Sequence, residues 1–64
     1  MNIYDIVKTY SENTLGKFSK HDALVACPSL GSSSVESALK KLVDEGTVIR
    51  TGAGMKKMYM MKKE

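Results

Sequence analysis

Residues 31–42 read GSSSVESALKKL, with three serines in a row ahead of a regular apolar pattern. Val35, Ala38, Leu39 and Leu42 follow the spacing i, i+3, i+4 and i+7, so they form one apolar stripe on a helix. Serine is a mediocre residue inside a helix but a good one at its start, where the hydroxyl accepts a hydrogen bond from an amide without a helical partner. One serine is enough for that cap, so the other two need another explanation.

This segment predicts helix 3 over about residues 33–45, with Ser32 or Ser33 as the N-cap. Ser33 and Glu36 have the spacing of a capping-box pair. Gly46 is expected to end the helix in the left-handed conformation. The face opposite the apolar stripe would then be polar, with the side chains of Ser33, Ser34, Ser37, Lys40, Lys41 and Asp44.

Two shorter helices are predicted before it. Apolar residues at helical spacing predict helix 1 over about 3–12, with Asn2 as its cap. Helix 2 is predicted over about 20–27, because Ser19 can cap it, with Asp22 three residues later as a short version of the capping box, and because Pro28 disfavours helical angles in the preceding residue. We expect the core side chains of this short helix to be Leu24, Val25 and Cys27.

From residue 47 onwards the pattern changes to that of strands. Residues 47–51 and 56–62 are predicted to pair as a hairpin, a wing over about 47–62, with Gly52 and Gly54 at its tip. A two-stranded hairpin is marginally stable alone, so it must pack on the helices. The predicted fold class is α+β, three helices followed by a two-stranded hairpin, in a single domain over residues 1–64.

Charge is distributed unevenly along the 64 residues, whose formal net charge is +3. Residues 1–39 carry three lysines against four carboxylates, whereas residues 40–64 carry seven basic against three acidic side chains. The positive charge of the second half is typical of a surface that binds a polyanion. The alternative is that these lysines only keep the protein soluble.

Composition argues against an enzyme. Cys27 and His21 are the only residues of their kinds, which excludes an internal disulfide and leaves a zinc site short of ligands. They are six residues apart, which on one helix puts them on different faces, because neighbours on one face are three or four residues apart. No glycine-rich phosphate loop precedes a helix, and no nucleophile has a base nearby in sequence. We expect no catalysis, no cofactor and no small-molecule substrate.

Hydropathy and the N-terminal segment bear on location. No stretch approaches the roughly 18 consecutive apolar residues of a membrane span. The opening MNIYDIVKTY has an early aspartate and no small-residue cleavage site, so it does not read as a signal peptide. We therefore expect a cytoplasmic protein that makes no membrane contact.

Residues 32–61, SSSVESALKKLVDEGTVIRTGAGMKKMYMM, resemble the recognition helix and wing of winged helix-turn-helix DNA-binding domains from bacterial and phage transcription regulators. In that family a Ser/Thr-rich helix start precedes an apolar-patterned helix, a glycine stop, a strand with Arg, a glycine-rich tip and a strand with Tyr. FSKHDAL resembles the short helix before these elements, with Phe18 where the family has the stub of a first strand. The resemblance covers about residues 15–62.

The resemblance implies a role for the extra serines. In a helix-turn-helix protein the start of helix 3 enters the major groove, where small hydroxyl side chains allow close approach and can bond to bases or phosphates. Lysines further along the helix and on the wing would meet phosphates or the minor groove. The implied contacts to double-stranded DNA are Ser33, Ser34, Ser37, Lys40, Lys41, Arg50, Lys56 and Lys57. The leading hypothesis is a sequence-selective double-stranded DNA-binding protein, a small transcriptional repressor from a phage, plasmid or toxin–antitoxin operon.

The methionines of the wing support a second hypothesis. Met58 and Met60 alternate with Tyr59 and Met61, so both faces of the second strand are apolar. One face can cover the helices, and the other would be exposed unless a partner covers it. A second copy of the chain is one such partner, which would make the protein a homodimer. Helix 1 is an alternative surface for that dimer. The alternative function is a winged-helix protein-interaction module or adaptor that uses the methionine-rich wing.

Overall fold

Five elements follow one another in the computed structural model, which describes residues 2–52 and 57–62. They are α1 (Ile3–Asn13), α2 (Lys20–Ala26), α3 (Ser32–Asp44), β1 (Val48–Thr51) and β2 (Met58–Met61). The two strands pair antiparallel. The predicted α+β fold class, three helices followed by a two-stranded wing, is confirmed. Over the described residues, every helix is too short or too polar to cross a bilayer.

Helix α1 begins at the predicted cap. The Asn2 side chain accepts a hydrogen bond from the Asp5 amide at 2.8 Å. Val7 and Ser11 are fully buried, and the Ser11 hydroxyl donates to the Val7 carbonyl at 2.9 Å, so this polar group is satisfied inside the core. Ile3 lies one helical turn before Val7 on the same side of α1, but it is 39% exposed because it is in the first turn, at the edge of the core.

Helix α2 has the predicted capping box and stops before Pro28. The Asp22 amide donates to the Ser19 hydroxyl at 3.1 Å, and the Ser19 amide donates to the Asp22 carboxylate at 3.0 Å. The predicted burial of Val25 is wrong, since this side chain is 67% exposed. Ala23 and Cys27 are the buried residues here, and Val25 lies about 200° around the helix from Ala23.

The start of α3 differs from the prediction. Gly31 is the N-cap, its backbone is extended, and the helix has no side-chain cap hydrogen bond. The predicted cap at Ser32 or Ser33 and the capping box with Glu36 are therefore wrong. Because the helix begins one residue earlier, all three serines fall within its first turn. Their hydroxyls are thus not used as caps.

The end of α3 matches the prediction of a glycine stop. Gly46 has φ +81° and its amide donates to the Val43 carbonyl at 3.0 Å. The Thr47 amide donates to the Leu42 carbonyl, also at 3.0 Å. This pair of bonds is a Schellman motif, and it directs the chain from α3 into β1.

Phe18 joins the wing to the helices. It forms an isolated bridge with Tyr59, with amide-to-carbonyl distances of 2.8 and 2.7 Å in the two directions. This is the strand stub that the family resemblance implied. The Phe18 ring is 1% exposed and contacts the rings of Tyr10 and Tyr59, at centroid distances of 5.2 and 6.1 Å. The core that results draws on every element and includes Val7, Phe18, Ala23, Val35, Ala38, Leu39, Leu42, Val48 and Tyr59.

Candidate nucleic-acid interface

The outward face of α3 is polar along its whole length. Val35, Leu39 and Leu42 are fully buried and fix which side of the helix faces the core. The residues opposite them are exposed, and we call these the outer stripe: Ser33, Ser37, Lys40 and Asp44. The stripe begins with two hydroxyls and continues with a cation one turn later, as the sequence predicted. Ser34 and Lys41 lie on the flank of the stripe that faces α1.

A shallow groove of about 380 Å³ lies between the start of α1 and the first three turns of α3. We call it the serine groove, and its walls are formed by Ile3, Tyr4, Ser33, Ser34, Ser37, Ala38 and Lys41. The structure thus brings four of the eight predicted DNA contacts together at one place. Sequence reasoning missed Ile3 and Tyr4, because helical spacing identifies a packed face but not the neighbour it packs against.

Tyr4 sets the electrostatics of this groove. The Lys41 ammonium lies 5.0 Å from the centroid of the Tyr4 ring, a cation–π contact. The Tyr4 hydroxyl donates a hydrogen bond to the Glu45 carboxylate. This hydrogen bond, more than the local burial and the nearby negative charge, raises the pKa of Tyr4 above its ordinary value. In this pair Tyr4 is the hydrogen-bond donor and the Glu45 carboxylate is the acceptor.

Lys57 lies in a different place. It lines a cavity of about 480 Å³ on the opposite flank of α3, which we call the wing cavity. The other lining residues come from the start of α2, from α3 and from β2: Ser19, Lys20, His21, Asp22, Glu36, Met58 and Tyr59. Glu36 of α3 lines the same cavity as Lys57, and on an ideal helix its side chain points about 140° away from that of Lys41. The predicted cations therefore do not share one site but flank the outer stripe on both sides.

The wing cavity contains an ion pair that the sequence did not indicate. Lys20 and Glu36 are 3.4 Å apart, and their side chains are 40% and 60% exposed. Residues 16 positions apart show no local pattern that would pair them. The carboxylate lowers the positive charge of this flank, and at such exposure the pair itself adds little to stability.

Two predicted contacts belong to the wing strand and its tip. Arg50 is exposed in β1, in register with Tyr59 of β2. Gly52, directly after β1, has φ +90°, a left-handed conformation that glycine adopts without steric cost. Lys56, like Gly54 and Met55 of the predicted tip, lies outside the described residues.

The hairpin has one buried and one partly open apolar face. Val48 and Met61 pair on the side that packs on the core, and Tyr59 is buried on this side. Ile49 pairs with Met60 on the other side, and the half-buried Met58, in register with Thr51, lies on that side too. Ile49 is 37% exposed. We call Ile49, Met58 and Met60 the outer wing face, which is the open apolar surface that strand alternation predicted.

Metal ligands do not cluster in residues 2–52 and 57–62, where no group of three or more His, Cys, Asp or Glu side chains could hold an ion. The Cys27 thiol is free and buried.

No family model and no curated protein matches the chain. A solved structure matches it with a TM-score of 0.84 and 23% sequence identity, over 95% of this chain and 100% of the other. That structure comes from work on "the DNA recognition and protein interaction domains" and the "homologous DNA pairing properties of HOP2". At this identity the match shows a common fold, and the fold is that of a winged helix.

Proposed function

We propose that this chain is a double-stranded DNA-binding protein that inserts α3 into the major groove. The observation that carries the proposal is the outer stripe, in which exposed serine hydroxyls are followed by Lys40 on a helix whose opposite face is buried in the core. A B-DNA major groove is about 12 Å wide and admits one helix. Small hydroxyl side chains in the first turn allow the helix start to approach base edges closely. The HOP2 work, which concerns DNA recognition, agrees with this assignment.

The cations on the two flanks of α3 suit the two phosphate backbones beside a major groove. Lys41 lies on the α1 flank, and Lys57 lies on the wing flank, where the neighbouring Lys20 is paired with Glu36. A helix in the groove has one backbone on each side, so each flank would face its own strand. Lys40, Arg50 and Lys56 complete the proposed set of cations. In this arrangement the phosphates fix the position of α3 and the serines Ser33, Ser34 and Ser37 contact the bases.

We assign the protein the role of a small transcriptional repressor of bacterial, phage or plasmid origin, acting in the cytoplasm without enzymatic activity. The role follows the family resemblance of residues 32–61 and the lack of catalytic groupings in the sequence. A homodimer would match a palindromic operator and double the short footprint of one domain.

Titration against duplex DNA at several salt concentrations tests the proposal. Neutralisation of five phosphates, by Lys40, Lys41, Arg50, Lys56 and Lys57, predicts a log–log slope of about −4 to −5. Selection of bound sites from a random duplex pool then measures sequence preference, and a symmetric motif would indicate a dimer. No binding at low salt would contradict the proposal.

The outer wing face favours a second candidate, a protein-interaction module. Ile49, Met58 and Met60 form an apolar surface, and methionine adapts readily to different partners. The HOP2 work also concerns protein interaction domains. Replacing Lys56 and Lys57 by glutamate separates the candidates, because it should abolish DNA binding but leave capture of a protein partner intact.

A further inference from the structure

Tyr4 connects the first turn of α1 to the last turns of α3. Its ring contacts the Lys41 ammonium and its hydroxyl donates to the Glu45 carboxylate. Lys41 and Glu45 are four residues apart, which is about one helical turn, so a single tyrosine contacts both. Tyr4 also lines the serine groove together with Lys41. Nothing in the apolar pattern of α1 requires a tyrosine hydroxyl at this position.

We propose that Tyr4 is a positioning residue for DNA binding, which holds Lys41 beside the serines of α3 and keeps the Glu45 carboxylate away from it. The inference rests on the proposed DNA-binding function. It adds a residue that affects DNA affinity by positioning Lys41.

The hydrogen bond from Tyr4 engages the carboxylate that could otherwise pair with Lys41. A glutamate and a lysine four apart on a helix attract each other, and an ion pair between them would occupy the ammonium that a phosphate needs. Here the Tyr4 hydroxyl bonds the Glu45 carboxylate instead. In the part of the chain that the structure describes, the one ion pair is Lys20 with Glu36. Among the residues that the structure describes, Lys41 therefore has no carboxylate partner, and its ammonium is available to a phosphate at the serine groove.

The ring of Tyr4 controls the position of Lys41. A cation–π contact attracts the ammonium without accepting all of its hydrogens, so Lys41 can still donate to a phosphate. A free lysine loses rotamer freedom when it binds, which weakens association. The ring restricts Lys41 before DNA arrives. This part of the effect depends on the aromatic ring and not on the hydroxyl.

Two substitutions at Tyr4 separate these contributions. Tyr4→Phe keeps the ring, and we expect Kd for duplex DNA to rise several-fold, at most about eightfold at 0.1 M salt, as Glu45 turns to Lys41. Adding Glu45→Gln to that variant should restore the wild-type Kd. Tyr4→Leu removes the ring as well and should weaken binding further, with a total loss no larger than the roughly eightfold effect of losing one phosphate contact. In a Lys41→Gln background neither Tyr4 substitution should change Kd further.

Thermal unfolding of each variant serves as the folding control, and Tyr4→Phe should unfold only slightly below the wild type, because it keeps its packing and loses one exposed hydrogen bond. The inference is overturned if Glu45→Gln does not restore binding to Tyr4→Phe, or if Tyr4→Leu weakens binding equally with and without Lys41. If the wild-type chain binds no duplex, the proposed function fails and this inference fails with it. Wild-type binding without coupling between Tyr4 and Lys41 overturns this inference alone.

Discussion

The two flanks of α3 present their cations in different surroundings. On the α1 flank, Lys41 lies over the Tyr4 ring beside the serines, and the nearby Glu45 is bonded to Tyr4. On the wing flank, Lys20 is paired with Glu36 in the cavity that Lys57 also lines. The comparison teaches that the number of lysines on a surface does not measure how many are free to meet a phosphate. The α1 flank has fewer cations, but its lysine is not paired with a carboxylate of the described residues.

The largest expected effect is a loss of stability at Phe18, the residue that attaches the hairpin of the wing flank to the helices. Phe18→Ala removes the ring that joins the hairpin to the helices and leaves a cavity, so we expect a loss of about 3–5 kcal/mol in the free energy of unfolding. Urea unfolding followed by circular dichroism measures it. Val25→Ala is the control, since that side chain is 67% exposed and should change stability by less than about 0.5 kcal/mol. A loss below about 1 kcal/mol for Phe18→Ala would contradict this account of how the wing is held.

Neutralising one lysine on each flank compares the flanks directly. Lys41→Gln should weaken duplex binding about eightfold at 0.1 M salt and reduce the salt slope by about 0.9, the effect of one phosphate contact. Lys57→Gln should have a smaller effect on both, because Glu36 lines the same cavity. Fluorescence anisotropy at four salt concentrations measures both slopes. Equal slopes for the two variants would remove the distinction between the flanks.

Removing the carboxylate of the wing flank should make the flanks more alike. Glu36→Gln frees Lys20 from its ion pair, so we expect binding to strengthen by a few-fold at low salt, with little change in stability because both side chains are exposed. Glu12→Gln, an exposed position near the end of α1, is a charge-matched control for the change in net charge. If both variants strengthen binding equally, the effect comes from net charge and not from the wing flank.

The smallest effect concerns pH on the α1 flank. The hydrogen bond to Glu45 raises the pKa of Tyr4 above its ordinary value of 10.0. Its contribution to stability is therefore fully present below pH 10 and is lost as the pH rises through the higher pKa of the folded state. Unfolding midpoints of the wild type and Tyr4→Phe should differ at neutral pH and converge in strong alkali. A constant difference across that range would show that Glu45 does not control Tyr4.

Local patterns were sufficient to predict the elements and their order. The Ser19 capping box, the Gly46 stop and the stripe from Val35 to Leu42 depend only on neighbouring residues, and each lies where the sequence predicted. The cap of α3 was predicted one or two residues late, because serine is a strong cap candidate and Gly31 offers no side chain as a signal.

The surroundings of the candidate site could not be predicted in the same way. The outer stripe followed from helical period, but the contact of Tyr4 with Lys41 and Glu45 joins residues from opposite halves of the chain. The ion pair of Lys20 with Glu36 likewise joins residues from two different helices. Its carboxylate makes the wing cavity less positive than the serine groove. Such pairs depend on how helices pack, and period and composition carry no information about them. The eight predicted contacts remain a prediction for binding experiments.

Amide chemical-shift mapping of the isotope-labelled chain during titration with duplex DNA tests the central claim most directly, because it reports which surface meets the nucleic acid. We predict that the largest changes occur at the start of α3, from Ser32 to Ser37, and extend to Lys40 and Lys41. Smaller changes should occur at Lys57 and Arg50. Changes confined to Ile49, Met58 and Met60 with an unaffected α3, or no changes at all, would contradict the claim that α3 enters the major groove.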